Sequence, residues 1–402
     1  MNTGIVPAPL LPSLSPAQRR RRRGLFIGLS TVVMFVLIGS SLGALFLFAH
    51  RDTVATAENQ IVGHAFFISS GQWNERSSQG NNDELQIEMQ HVLDPAPGKS
   101  YYAWLLSDKN QSPMVAIPLR AVPVDHGSVH FRYPGDQQYT NLIANTSRLL
   151  ITEESVKNVS TRPSSDRSTW RYYAELPQQS STAGQPHPSV LGSLRALLYE
   201  GPTLHELGIR GGLNTRFLRN TGKILEWIYS ARDSWSRQDT AFIHRQIVRT
   251  LDYLDGKEAV QADVPPGTPL LVDPLIPLLD LAPNQGSGSY LTLIDDQLKN
   301  LISAPGITPD MHRLALQSEQ ALISNVQPWL MQMRLLANQL VYMPDAQLLQ
   351  LSALALLDNM VARANLAFVG RLDPSTDEVQ LGVVQIFYNI QRLATYDITV
   401  YK

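Results

Sequence analysis

The sequence predicts a single-pass membrane anchor followed by an antiparallel β-sandwich and then an all-α helical domain. Three observations lead to this prediction. An uncharged apolar run covers residues 24–49, apolar and polar residues alternate at period two within residues 61–175, and helical periodicity dominates residues 190–402. Alternation at period two is typical of half-buried strands, whereas apolar repeats at three and four residues are typical of helices.

The composition limits the chemistry that the chain can support. Its 402 residues are 44% apolar and 17% charged, values that fit a folded protein. The formal net charge of -2 provides no general attraction for nucleic acid, so we expect no nucleic-acid partner. The chain has no cysteine, which excludes disulfides, iron–sulfur clusters and cysteine nucleophiles.

Residues 24–49 are long enough to cross a bilayer. As a helix they extend about 39 Å, and the hydrocarbon core of a membrane is about 30 Å thick. Five consecutive arginines precede the run: Arg19, Arg20, Arg21, Arg22 and Arg23. By the positive-inside rule these arginines determine the topology, so we expect a cytoplasmic leader over residues 1–23 and an extracytoplasmic location for residues 50–402 of a cell-membrane protein.

A cleaved export signal is the alternative to a retained anchor. Arg22 and Arg23 before an apolar run resemble a twin-arginine signal, and the sequence Ala55-Thr56-Ala57 offers a cleavage site after Ala57. The apolar part of a signal is about 7–15 residues long, which is shorter than residues 24–49. We therefore favour the anchor, and with it the membrane as a partner through a single span.

The β-sandwich is predicted for residues 61–175, after a spacer at residues 50–60. Residues 85–90 alternate strictly, residues 101–106 form an apolar and aromatic run, and residues 129–133 alternate again. Turn sequences rich in glycine and proline separate these runs, which is the pattern of an antiparallel sheet. Residues 176–189 have the proline, glycine and serine content of a linker, so we expect the two flanking domains to fold independently.

The helical domain is predicted for residues 190–402. The periodicity places helices at 190–200, 214–233, 238–255, 290–303, 308–342, 345–369 and 376–396. Thr308-Pro309-Asp310 has a cap, a first-turn proline and a first-turn acid in the order expected at a helix start. Pro328 is expected to kink the fifth helix near its middle, because proline removes a backbone donor.

A proline-rich segment, residues 265–289, breaks the helical pattern. It is much more apolar than a solvated loop, so its side chains must pack on the helices or contact a ligand or partner. The candidate binding residues are Leu270, Leu271, Val272, Leu275, Ile276, Leu278, Leu279 and Leu281. The alternative is that the segment drapes over the helices and includes a short helix near residues 275–282.

Within residues 61–163 the order of motifs resembles the extracytoplasmic β-domain of the anti-sigma-K factor family. The resemblance rests on Gly98-Lys-Ser-Tyr-Tyr-Ala-Trp-Leu-Leu106, Gly127-Ser-Val-His-Phe131 and Leu149-Leu-Ile-Thr-Glu-Glu154, with Pro163 after them. It implies a β-module that senses or binds. The family carries a sigma-binding domain before its membrane helix, and only 23 residues precede residue 24 here, so we expect no sigma-factor partner.

No catalytic, cofactor-binding or metal-ligating residues stand out. The histidines at 64, 91, 126 and 130 lack the convergent spacing of a zinc site, and His205-Glu206 lacks the second histidine of a zinc-protease motif. Arg210-Gly-Gly-Leu-Asn-Thr-Arg216 is a glycine turn before a helix, where an anion could bind; the favoured interpretation is a simple helix boundary.

These observations favour a non-catalytic sensing or binding protein of the cell envelope, with no cofactor and an unidentified envelope protein or ligand as partner. One alternative is an envelope enzyme or cofactor-binding protein whose site lies in the helical domain. Another is a purely structural scaffold.

Overall fold

Eight strands form one antiparallel sheet in the computed structural model, which describes residues 60–74, 77–157, 160–178, 189–281, 288–375 and 377–402. The strands are β1 (Ile61–Ile68), β2 (Glu84–Met89), β3 (Lys99–Leu106), β4 (Ala116–Val122), β5 (Val129–Tyr133), β6 (Arg148–Ser155), β7 (Trp170–Glu175) and β10 (Tyr396–Val400). Two further strands, β8 (Arg371–Asp373) and β9 (Glu378–Gln380), pair as a separate hairpin. The strand order of the large sheet is β4-β3-β6-β7-β10-β1-β2-β5, and its edge strands approach each other, so the sheet is nearly closed.

The last strand of the chain lies in the middle of this sheet. On one side β10 pairs with β1, where Tyr396 lies opposite Ala65 and Asp397 lies opposite His64. On its other side Thr399 of β10 lies opposite Tyr173 of β7. The helical region is therefore inserted between two neighbouring strands, and the described residues form one compact unit.

The apolar alternation in the sequence determines which side chains point inward. In β2 the inward residues Leu85, Ile87 and Met89 are at most 2% exposed. The central strand β3 is apolar on both faces, and its outward Trp104 is only 1% exposed because Tyr102 and Leu150 pack with it in a second cluster. A strand covered on both faces reads as a continuous apolar run, as residues 101–106 do.

The helices follow the periodicity of the sequence closely. They are α1 (Val190–Leu198), α2 (Pro202–Glu206), α3 (Leu213–Trp235), α4 (Thr240–Ala259), α5 (Tyr290–Ser303), α6 (Pro309–Ala321), α7 (Gln327–Val341), α8 (Asp345–Leu348), α9 (Leu351–Val369) and α10 (Val383–Leu393). Side-chain caps start several of them: Ser189 accepts from Gly192 N, Ser289 from Thr292 N, and Thr308 from Met311 N. Such caps satisfy backbone donors that have no partner inside the helix.

A π-helical turn, Leu322–Val326, joins α6 to α7. It ends just before Gln327 and Pro328, where the sequence predicts a kink. The proline ring has no N–H and crowds the carbonyl group one turn earlier, so a wider turn at this point relieves the clash. α6 packs on α5 and α10, whereas α7 packs on α4 and α9.

Polar side chains attach the helices to one end of the sheet. Arg195 of α1 donates from Nη1 and Nη2 to the two carboxylate oxygens of Asp108, both at 2.8 Å, and from Nε to the Ile143 carbonyl at 2.9 Å. The last carbonyl of α1, that of Leu198, accepts from the side-chain amides of Asn82 and Asn141 at 2.9 and 3.1 Å. Bidentate and charge-assisted bonds of this kind are the stronger hydrogen bonds in proteins.

The predicted fold class is wrong. The sequence predicted a β-sandwich followed by a separate all-α domain. The structure instead has one nearly closed sheet, and one of its strands, β10, follows the helices in the chain. The predicted helix at residues 376–396 is shorter, Val383–Leu393, because strand β9 precedes it and β10 follows. The short helix expected near residues 275–282 is not formed by residues 275–281.

The single-pass anchor is also unsupported. No helix in the described ranges is long and apolar enough to cross a membrane. The run at residues 24–49 and the arginines at 19–23 lie outside the described residues. The extracytoplasmic location of residues 50–402 was inferred from that same part of the chain and stays a prediction.

Replacement of an inward β10 side chain should destabilise sheet and helices together. Ile398 is 0% exposed, and Ile398→Ala is expected to lower the free energy of unfolding by about 2–5 kcal/mol. Urea unfolding followed by circular dichroism and by tryptophan fluorescence should show one shared, shifted transition. Val400→Ala, in the same strand but 51% exposed, is the control and should change stability by about 1 kcal/mol or less. Separate transitions for the two signals, with the helical one unmoved, would contradict the interleaved fold.

Candidate binding groove

An open groove of about 680 Å³ lies where the start of α4, the end of α7 and the proline-rich segment meet. Its lining residues are His244, Arg245, Val248, Pro265, Thr268, Pro269, Leu271, Val341, Tyr342, Met343 and Pro344. Most of these side chains are apolar, and the few polar ones include the cation Arg245 and the imidazole of His244. This size and composition are typical of sites for small organic ligands.

The first wall of the groove is the start of α4. The Asp239 side chain caps this helix by accepting from Phe242 N at 3.0 Å. The cap fixes the first turns, which present His244, Arg245 and Val248 to the groove. At the rim, His244 Nε2 lies 3.6 Å from Asp345 Oδ1, an ion pair when the imidazole is protonated.

A buried carboxylate holds the second wall, the proline-rich segment. Asp252 of α4 is 1% exposed, and its Oδ2 accepts from the backbone N–H groups of Leu271 at 2.9 Å and Val272 at 3.2 Å. Burial raises the pKa of Asp252, while the two N–H bonds oppose that rise. The clamp leaves Leu271 facing the groove and limits how far this wall can move.

The segment beyond Leu271 packs against the end of α4. The backbone N–H groups of Leu278 and Leu279 donate to the carbonyls of Tyr253 and Leu254, both at 3.0 Å. Gly256 has a φ of 73°, and a Cβ there would lie 3.1 Å from the Pro277 ring. Glycine is therefore needed at this position, both for its conformation and for the close approach of the proline.

The eight residues nominated from the sequence fall into three groups. Buried are Ile276, Leu278 and Leu279; partly buried against the core are Leu271, Val272 and Leu281; exposed are Leu270 at 39% and Leu275 at 43%. Of the eight, Leu271 lines the groove. Most of the apolar character of the segment thus serves packing, and a binding role for these residues stays a prediction.

The other walls were missed at the sequence level. Residues 244–248 and 341–344 lie at the ends of two helices that are far apart in the chain, and helical periodicity does not identify such ends as partners. A local signal that could have suggested this surface is the sequence Tyr342-Met343-Pro344, an aromatic residue and a proline at the end of the predicted helix; in the structure Tyr342 is 53% exposed.

A largely buried charge cluster connects α7 to the start of the proline-rich segment. Arg334 of α7 donates from Nε to Asp255 at 2.8 Å and contacts Asp263 through Nη2, and Asn338 donates to Asp263 at 3.2 Å. Asp263 comes just before Val264 and Pro265, so the cluster ties the start of the proline-rich segment to α7. Burial, together with the neighbouring Asp263 carboxyl group, raises the pKa of Asp255 to about 7 despite Arg334.

Two of the histidines weighed in the sequence share a row across the outer face of the sheet. His64 lies opposite Asp397 and opposite Glu88, and Glu88 lies opposite His130. His64 Nδ1 is 2.9 Å from Asp397 Oδ1, and His130 contacts Glu88. In the described part of the chain, no three such side chains converge on a point that could hold a metal ion.

Asp255 should make the fold less stable as the pH rises toward neutrality. Its pKa of about 7 exceeds the ordinary value of 3.8, so its contribution is complete below about pH 4 and is lost as the pH rises through about 7. One such proton changes the free energy of unfolding by at most about 1.4 kcal/mol per pH unit. Asp255→Asn removes this titration, so we expect the variant to gain stability relative to wild type between pH 5 and 7.5 in urea unfolding.

Asp233→Asn is the matched control, because Asp233 is an exposed carboxyl group on α3. It measures the effect of removing an exposed carboxyl group, so the stability difference of Asp255→Asn should change with pH more than that of Asp233→Asn. A constant difference for Asp255→Asn would show that Asp255 keeps the same charge throughout this interval.

No protein-family model matches this chain, and no curated protein or solved structure shows a significant similarity to it. The resemblance of residues 61–163 to the anti-sigma-K β-domain therefore stays a prediction.

Proposed function

We propose that this chain is a non-catalytic binding protein whose ligand is an apolar molecule with a negatively charged group. The single observation that supports this best is the groove of about 680 Å³, with apolar walls and a cationic edge. Val248, Leu271 and Met343 provide the apolar surface, and Arg245 provides the charge.

Fixed walls favour binding, because little conformational entropy is lost when a ligand enters a preformed site. Three prolines, Pro265, Pro269 and Pro344, line the groove, and each has a restricted φ. The Asp252 clamp and the turn in which Thr268 Oγ1 donates to the Pro265 carbonyl at 2.7 Å restrict the segment further.

The positive charge of Arg245 at the edge of the groove favours a ligand with a negatively charged group. The Arg245 guanidinium carbon lies 5.4 Å from the centre of the Phe242 ring, which keeps the cation beside the groove. An apolar body with a carboxylate or sulfonate would bury its hydrocarbon against the walls and pair its charge with Arg245. Burial of apolar area provides most of the binding free energy, and the ion pair sets orientation.

The dye 8-anilinonaphthalene-1-sulfonate has this chemistry, and dodecanoate is a suitable competitor. We expect saturable dye fluorescence that dodecanoate displaces. Tyr342→Ala should weaken dye binding about ten-fold, because it removes an exposed aromatic side chain from the groove wall. The substitution should leave the fold unchanged, since Tyr342 is not part of the core. Arg245→Gln should weaken dodecanoate more than dodecanol.

Leu335→Ala is the control, because Leu335 is 56% exposed on the same helix, α7, and does not line the groove. It should bind the dye like wild type. Equal affinities for Tyr342→Ala, Leu335→Ala and wild type would place the dye elsewhere and remove the basis of the proposed function.

A further inference from the structure

The charge cluster formed by Asp255, Asp263, Arg334 and Asn338 contains two acids and one cation. Arg334 bonds to both acids, from Nε to Asp255 at 2.8 Å and through Nη2 to Asp263. The Asp255 side chain is completely buried, and those of Arg334 and Asp263 are only 16% and 20% exposed. With both acids ionised, the cluster would hold an uncompensated negative charge largely away from water, which is unfavourable.

One oxygen of Asp255 indicates where a proton binds. Its Oδ1 accepts from Arg334, whereas its Oδ2 is buried and has no hydrogen-bond partner among the described residues. A hydrogen bond between the Asp255 and Asp263 carboxyl groups contributes to the raised pKa of Asp255. Two carboxyl groups can form such a bond only when one of them carries a proton. A proton on Asp255 therefore supplies the missing donor and makes the cluster neutral.

The charges that act on Asp255 come from two of the elements around it. Asp263 belongs to the connection after α4, and Arg334 belongs to α7. Helix α3 also packs on α4, but burial, Asp263 and Arg334 are what shift the pKa of Asp255. The other ionisable residues on the last turns of α4 are Arg249, Asp252, Lys257 and Glu258. The neighbour whose negative charge opposes that of Asp255 is therefore Asp263.

The charge cluster connects all three walls of the groove. Asp255 lies on α4 and Arg334 on α7, and other parts of both helices line the groove. Asp263 comes two residues before Pro265, which lines the groove directly. Asp255 is fixed within a helix, whereas Asp263 follows the last helical turn and is more exposed. Repulsion between two ionised carboxylates is therefore relieved by movement of Asp263 toward solvent, which carries Pro265 with it.

We propose that proton uptake by the charge cluster fixes the proline-rich wall, so that the groove binds its apolar anion more tightly in acid than at alkaline pH. This inference rests on the proposed function, because it concerns the same groove. With the proton in place, the bond between Asp255 and Asp263 holds Pro265 near α7, and the wall is ordered before the ligand enters. Without the proton, ordering the wall weakens binding. The pKa of Asp255, raised to about 7, places the change around neutral pH, with the bond present below that value and lost above it.

The test is titration of the purified full chain with 8-anilinonaphthalene-1-sulfonate at pH 6 and at pH 8. The dye sulfonate and Arg245 keep their charges over this interval, but the imidazole of His244 does not. His244→Gln therefore serves as the parent chain. One linked proton changes affinity by at most about ten-fold per pH unit, and we expect the dissociation constant of the parent to rise about five-fold between the two pH values.

Adding Asp255→Asn to the parent should reduce this change to less than about two-fold. The amide keeps a donor toward Asp263 and an acceptor for Arg334 at every pH, so the wall should stay fixed. Asp233→Asn in the same parent is the control, because Asp233 is an exposed carboxyl group on α3, and it should leave the pH dependence of the parent unchanged.

Hydrogen exchange without the dye provides a second measurement. The Thr268 amide donates to the Pro265 carbonyl at 3.1 Å. After correction for the effect of pH on the chemical exchange rate, its protection should fall above pH 7 in the parent and not in the parent with Asp255→Asn.

The two measurements separate this inference from the proposed function. Equal pH dependence of dye binding with and without Asp255→Asn would overturn the inference and leave the proposed function in place. Absence of saturable dye binding at both pH values would contradict the proposed function. Protection of Thr268 that is the same at pH 6 and pH 8 in the parent would overturn the inference whether or not the dye binds.

Discussion

The pairing of β10 with β1 and β7 is the constraint on which the rest of the structure depends. It joins residues near the two ends of the described chain. The whole helical region lies between β7 and β10 in the sequence, so it must begin and end at two strands that are neighbours in the sheet. Closing so long a loop has an entropic cost that grows slowly with its length. The buried side chains of β10, such as Tyr396 and Ile398, and the contacts between α1 and the sheet offset that cost.

Helix positions were largely predictable from the sequence, and the sheet was predictable only in part. Caps and periodicity located the helix that starts at Pro309, because these signals are local. β10 was missed because Tyr396–Val400 has only five residues and follows the apolar stripe of α10 directly. Its pairing partners are more than two hundred residues away, and no local pattern records such a partner. The fold class was therefore wrong although most of its elements were located.

The binding groove shows the same limit for sites. The groove combines three segments that only the packing of α4 against α7 brings together. The glycine turn before α3, between Arg210 and Arg216, was visible in the sequence as a helix boundary. Its packing against Asn81 of the β-region was not, because Asn81 and its hydrogen-bond partner Thr215 lie 134 residues apart in the chain.

The π-helical turn at Leu322–Val326 allows one continuous helical rod to serve two sets of neighbours. Each residue of an α-helix turns the chain by about 100°, so one extra residue in a turn rotates everything after it by about that angle. The rotation gives α6 and α7 different buried faces, the first toward α5 and α10 and the second toward α4 and α9. The relative orientation of the buried faces of α6 and α7 is thus set by this single turn between Ala321 and Gln327.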